Sequence, residues 1–485
     1  MFTMFLDKVS RRKLALLRYL EDRTLFTVSK DQAVNDLTLS DFLLGKIIDE
    51  LNADFVNYEL NEGTSIIYDK NDIKLLENRN ALSKDVEAIY IKNSIQFLLL
   101  EQFFWESCES ITAFAREQFI SHTLAYKEFR KLKQTLSALE IEISKDFKLI
   151  GNENSIRNFI GFLWLKVHKR DTDIYPEYLV SDIKRQILAF EAVFVISEIS
   201  EYTRSKLTHF LAINLIRMER KHLLTKMPHY RQIYFIPVLK LYLKKISKVL
   251  SEFSKTEDDS SIVFEARRIV LFFIAEDMVA ISPENLVESI KPLQTLNQKF
   301  KADLKRAFPT ANLDEKKFEK RLTLIHFKCI FSQIEVLNKL NTIDMTYFLE
   351  TYQEYFVFCK KYIKQNIGNQ WISSCLEYLF LEYLLLLINC LSLKDIIAPI
   401  NICIDFSMGK EYNEMIRKKI EKISVFNLRF QVRSSRNVDL FLTDIRNKKL
   451  TKCVCVIWTV PTRSIDWMNL VEELLKVRAE KMKNK

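Results

Sequence analysis

Only six glycines and eight prolines are spread over 485 residues. Glycine shapes tight turns and proline ends helices, so a chain this poor in both has few places to reverse sharply. Long helices and few hairpins follow, and the expected fold class is mostly α. The same scarcity excludes glycine-rich phosphate loops, in which bare backbone must approach the ligand closely. Hydrophobic residues make up 48% of the chain, enough for several packed cores. The length suggests roughly three or four ordinary domains.

The formal net charge of +10 favours an anionic partner, either nucleic acid or a membrane surface. Eight cysteines lie mostly in apolar runs, without a CxxC pair or zinc spacing, and read as buried thiols in a reducing compartment. No cofactor or metal is expected. The first residues lack a basic segment leading into a long apolar one, so no signal peptide is expected. The most apolar window, Leu376 to Leu391, carries Glu377 and Glu382 and is short for a bilayer, so it reads as a core helix. A cytoplasmic chain without membrane contact is the expectation. No Ser/His/Asp order with elbow glycines occurs, which argues against an enzyme.

Two small units open the chain. In residues 10–23, Leu14, Leu17 and Leu20 share a helical face, and Ser29 to Gln32 form a capping box. Ser40 then caps a helix with Leu44, Ile47, Ile48 and Leu51 at i, i+3, i+4 and i+7. Phe55–Leu60 and Ser65–Tyr68 flank Asn61-Glu62-Gly63, which predicts a hairpin. Three helices and a hairpin make a winged helix-turn-helix over residues 1–75.

The order repeats over residues 76–170. An apolar helix is predicted at 88–107, then Ser110 or Thr112 caps one helix and Ser121 the next. Leu124, Ala125, Phe129, Leu132 and Leu136 form the inner face of that last helix. Its outer face carries Thr123, Tyr126, Lys127, Arg130, Lys133 and Gln134, flanked by His122 and Lys131, with Glu128 the one acid. Lys and Arg suit phosphates and guanine edges; Thr, Tyr, His and Gln add hydrogen bonds. The predicted double-stranded DNA contacts are therefore Ser121, His122, Thr123, Tyr126, Lys127, Arg130, Lys131 and Lys133. Ile141–Gly151 reads as the wing. The corresponding face of the first unit holds Asp41, Phe42, Gly45, Lys46 and Asp49. It fits either DNA contact or packing on a partner domain.

Helix-turn-helix, wing and then Gly151 to Arg157 resemble regulators that carry phosphotransferase-system regulation domains. Two tandem N-terminal units narrow the resemblance to the Mga/AtxA family of virulence regulators of Gram-positive bacteria. Helices predicted at 206–220, 237–250, 264–278, 321–340 and 372–391 then read as two helical bundles, residues 171–281 and 282–393. A polar loop, 256–261, and a helix start at Ser282-Pro283 punctuate them. The stretch from Leu207 echoes that from Leu324, and the resemblance marks His209 and His326 as candidate phosphorylation sites for the phosphocarrier protein. Phe272 and Leu384 stand where the family often has a second histidine.

Residues 394–485 change pattern. Strands are predicted at 400–406, 426–432 and 453–458, and helices at 410–423 and 466–482, a small parallel α/β domain. The resemblance matches it to enzyme IIB. The loop after its first strand is Ser407-Met408-Gly409-Lys410 and has no cysteine, while Cys403 lies within the strand, so phosphocysteine chemistry is not expected. The apolar segments Val454–Trp458 and Trp467, Leu470, Leu474, Leu475 suggest a homodimer held by this domain. A helical scaffold that does not bind DNA is the rival reading of the whole chain.

Overall fold

The computed structural model describes residues 5–60, 63–69, 71–76, 82–194, 199–225, 236–253, 259–279, 281–309, 311–331, 345–423, 425–432, 437–445 and 453–483. The described residues up to Pro228, with those from Leu241 to Val279, form one compact unit. Those from Ala280 to Asn338 and from Thr342 onward, with 236–240, form a second.

The first unit opens with α1 (Lys8–Glu21), β1 (Thr27–Ser29), α2 (Lys30–Leu37), α3 (Asp41–Asn57), β2 (Ser65–Tyr68) and β3 (Asp72–Leu76). Ser29 and Ser40 accept from the amides of Gln32 and Leu43, so both caps lie where the sequence puts them. The hairpin does not. Phe55–Asn57 continue α3, because Phe55 extends the buried stripe Leu44, Ile47, Ile48, Leu51. The antiparallel hairpin pairs β2 with β3, and β1 adds to β3 to give the order β1-β3-β2. Its turn is set by Asp69, whose carboxylate accepts from the amides of Asn71 and Asp72, each at 2.8 Å. Of the predicted turn, Asn61 and Glu62 lie outside the described residues.

The apolar stretch 88–107 is two helices, α4 (Leu82–Lys92) and α5 (Ile95–Phe104), because Ser94 breaks it and caps the amide of Phe97. Then come α6 (Ile111–Glu117), α7 (His122–Ser137), the wing β4 (Ile141–Ile143) and β5 (Leu149–Gly151), and α8 (Glu153–His168). Gly151 is required there: its φ is +125°, and a Cβ would lie 2.6 Å from the carbonyl oxygen of Glu140. Against α8 packs α10 (Glu201–Glu219), which in turn packs on α9 (Glu177–Phe194); α11 (Pro237–Phe253) and α12 (Asp259–Ala275) follow. Residues 256–258 of the predicted polar loop lie outside the described residues, and 259–261 are already helical.

The second unit holds α13 (Pro283–Ser289), α14 (Lys291–Ala307), α15 (Glu315–Phe331), α16 (Thr346–Thr351), α17 (Gln353–Asn366), α18 (Gln370–Ser374) and α19 (Leu376–Cys390). The predicted helix 372–391 is broken at Cys375; of 321–340, residues 332–340 lie outside the described set. Its C-terminal part has β6 (Ile400–Asp405), α20 (Lys410–Glu421), β7 (Leu428–Gln431), β8 (Leu440–Thr443), β9 (Val454–Ile457) and α21 (Ser464–Lys483). All strands are parallel, in the order β7-β6-β8-β9. Strand β8 is absent from the sequence reading. All four of its residues are buried, so it lacks the alternation that marks a half-exposed strand. Ile400, Ile402, Leu440, Leu442 and Val456 meet Ile416 and Ile420 of α20 and Leu470, Leu474 and Val477 of α21. The opposite face gathers Cys403, Phe441, Cys453 and Cys455, with Val438, and among the described residues no helix residue joins them.

Candidate nucleic-acid interface

Helices α6 and α7 meet across a turn at Gln118–Ile120. Ser110 accepts from the amide of Ala113 at 3.0 Å and Ser121 from that of Leu124 at 3.2 Å. The backbone passes through a positive φ of 54° at Phe119, whose ring is exposed. Ala125, Leu132 and Leu136 anchor the buried face of α7. Leu124, expected among them, is exposed, because it stands about 100° round the helix from Ala125. Phe129 is half-buried and packs with Phe103 and with Phe147 of the wing, at ring separations of 5.8 and 6.2 Å. The wing is thus seated beside the inner face of α7.

On the outer face Thr123, Tyr126, Lys127, Arg130, Lys131 and Lys133 are all exposed. Lys127, Arg130 and Lys133 enter no ion pair among the described residues. Lys131 donates to Glu128 at 2.5 Å, and Gln96 of α5 donates to the other carboxylate oxygen at 2.9 Å. Burial alone would raise the Glu128 carboxyl; Lys131 and Gln96 outweigh it and hold the group below its ordinary range. The one acid of the helix is therefore neutralised, at the cost of tying up Lys131. Ser121 commits its hydroxyl to the cap, so its part in the interface is to fix the helix start. His122 bonds Thr112 through Nε2 at 2.9 Å and its ring lies 4.5 Å from that of Tyr126. Lys145, exposed at the wing tip, was not singled out by the sequence reading, although the tight turn Ser144–Lys148 could have pointed to it.

The corresponding helix of the first unit differs. Phe42 and Val56 on α3 are 82% and 77% exposed, and Lys46 is accompanied by Asp41 and Asp49. Asp41 is held at 2.7 Å by both Lys30 and the Tyr68 hydroxyl.

His209 and His326 are both buried. His209 Nε2 faces the Lys169 carbonyl at 3.0 Å and must donate to it, so Nδ1 accepts from the Tyr175 hydroxyl at 2.7 Å. His326 is the opposite tautomer. Asn297 gives its amide N–H to Thr323, so its carbonyl oxygen takes the proton of His326 Nδ1 at 2.6 Å. Nε2 then accepts from Tyr383 at 2.8 Å. Burial pushes the His326 imidazole down to about 3 and lowers that of His209. In each ring the one nitrogen with a lone pair is covered by a tyrosine.

In the C-terminal part, the loop after β6 spends its amides on side chains of α20 and of the segment after β8. The Phe406 amide donates to Asn413 at 2.9 Å; the Ser407 amide donates to Asp444 at 2.9 Å, as does its hydroxyl. Cys403 is buried in the strand, and burial raises its thiol. Among the described residues no His/Cys/Asp/Glu group is placed to hold a metal ion, and no helix is long and apolar enough to cross a membrane.

Helix, turn, capped helix with a basic outer face, and two-stranded wing define a winged helix-turn-helix module of the DNA-binding kind. Residues 79–164 match the family model of the Mga helix-turn-helix domain, which supports the Mga family of regulators and points to a DNA-binding transcription regulator. Among curated proteins none matches the chain.

Proposed function

We propose that the chain is a transcription regulator of the Mga type that reads duplex DNA through α7. The observation that carries this reading is the outer face of that helix: Lys127, Arg130 and Lys133 stand exposed without an ion pair among the described residues, beside Thr123 and Tyr126. Such a face supplies phosphate contacts and base-edge hydrogen bonds together. Titration of labelled promoter DNA by fluorescence anisotropy at two salt concentrations tests it. Binding that is absent at low salt would leave the helical scaffold as the better reading.

Two further parts of the proposal concern control. Phosphoryl transfer to His209 or His326 by the phosphocarrier protein requires Tyr175 or Tyr383 to withdraw first, so such control acts on an opened bundle. Homodimerisation is proposed through the sheet face that bears Cys455 and Ile457, since both helices of that domain cover the other face. Ile457 is half-exposed there. Light scattering of Ile457→Glu should show a monomer where the unaltered chain is a dimer; an unchanged dimer would place the contact elsewhere.

A further inference from the structure

The wing is a hairpin of two three-residue strands, too short to hold its own direction. Phe147 seats its tip, through contacts with Phe103 and Phe129. Its base is held from the first helical bundle. Arg217, in the last turn of α10, is fully buried. Its Nε and Nη2 donate to the Glu153 carboxylate at 2.9 and 2.6 Å, and Nη2 also donates to the main-chain carbonyl of Leu149, on β5, at 3.1 Å. Glu153 is the first residue of α8, immediately behind the wing. It also accepts from Arg157 at 2.8 Å, and Arg157 pairs in two places with Glu265 of α12, at 2.5 and 2.9 Å. Wing, α8, α10 and α12 therefore share one buried chain of charges.

A second tie lies one residue away. Lys148 of the wing pairs at 2.7 Å with Glu106, which also bonds the ring of His222, just past the end of α10. Arg220 donates to the carbonyl of Phe104 at 2.6 Å. The end of α10 thus reaches the wing at two successive residues, Lys148 and Leu149.

The charge of the wing explains why such a grip matters. Glu140, Glu142 and Asp146 are exposed, Lys148 is spent on Glu106, and Lys145 at the tip carries no ion pair among the described residues. A hairpin with this balance is not drawn onto a phosphate backbone by its own field. Lys145 can serve as a contact only if the hairpin is mechanically aimed.

We infer that Arg217 is a positioning residue of the DNA interface: by anchoring Leu149 and Glu153 to α10 it aims the wing so that Lys145 meets the phosphate backbone beside the groove entered by α7. The inference rests on α7 being the recognition helix. It also makes the first bundle a lever, since a movement of α10 carries the wing with it.

A double-mutant cycle on the full chain tests it. Lys145→Ala and Arg217→Gln are each expected to weaken duplex DNA binding about threefold or more at low salt, and Lys145→Ala to reduce the salt slope by about 0.9. The double variant should bind no more weakly than Arg217→Gln alone, while Arg130→Ala keeps its full effect in the Arg217→Gln background. Arg217→Lys keeps the buried charge if the glutamine variant folds poorly. It cannot span Glu153 and Leu149 together, so it should show the same coupling. Hydrogen exchange supplies a readout free of DNA: amides of 141–151 should exchange faster in either Arg217 variant, with those of α7 unchanged. Independent effects of Lys145 and Arg217, a Lys145→Ala variant that binds like the unaltered chain, or unchanged exchange in the wing would each overturn the inference. If the unaltered chain binds no DNA, the functional reading itself falls, whereas the exchange measurement still decides whether Arg217 anchors the wing.

Discussion

The two N-terminal winged helices are built by the same rules and finished differently. Each places a serine cap before its last long helix, Ser40 and Ser121, and each buries an apolar stripe behind it. Outward, α7 shows cations with its one acid neutralised, whereas α3 shows Phe42 and Val56 with two acids and one lysine. Fold and partner are thus written on opposite faces of one helix, and the fold can be kept while the partner changes. The units also differ in how they are fastened. The first is joined to its neighbour by Glu87 of α4, which pairs with Arg18 of α1 at 3.1 Å and Lys166 of α8 at 2.8 Å. The second is tied by Glu153, Arg157 and Arg217 into the first helical bundle.

The largest expected effect tests the fastening. Arg157→Ala leaves Glu265 buried without its partner and should cost about 3–5 kcal/mol in denaturant unfolding followed by circular dichroism. A loss near that of a surface substitution would mean that the network contributes little.

Next comes the contrast between faces. Replacing Lys127 and Arg130 together by Ala should weaken DNA binding by at least about tenfold at low salt and lower the salt slope by about 1.8, whereas Lys46→Ala on α3 should change affinity by less than about twofold. Equal effects at the two helices, read by anisotropy, would erase the distinction.

Acid should also separate the units, because residues 1–75 contain no histidine, while α8 carries His168. Burial, helped by Lys92 and then His209, pushes the His168 imidazole down to about 4, and neither ring nitrogen has a hydrogen-bond partner among the described residues. Its folded value lies below the ordinary value of about 6.5, so the unfolded chain binds the extra proton. Stability is full above about pH 6.5 and is lost as pH falls toward 4. Hydrogen exchange at pH 7 and pH 5, corrected for its intrinsic pH dependence, should show α8 loosening while α1 and α3 hold. Parallel loosening of both would point to another titrating group.

The smallest effect is expected at the exposed apolar face. Phe42→Ser should shift stability by no more than about 0.5 kcal/mol, since the ring buries little. A larger thermal shift would show that α3 is covered in solution.

Local chemistry carried much of this molecule into its sequence. The helical class, both serine caps, the order of helices and wing, and the basic face of α7 all follow from neighbours three or four residues apart, and such signals survive without knowledge of the rest of the chain. Where the outcome depended on distant partners, the sequence was silent or misleading. Phe55 was free to read as strand until α3 needed it for its stripe; β8, buried on both faces, showed no alternation; Leu124 looked like core because it is leucine. The bundle histidines were marked by a resemblance, and only the tertiary structure put a tyrosine over each. Glu128 accepts a hydrogen bond from Gln96, 32 residues earlier, and Leu149 is gripped by Arg217, 68 residues later. Helix periodicity names the face a residue lies on, but a buried charge is satisfied by whichever group the packing brings within hydrogen-bonding distance, and that choice is made only when the helices close on one another.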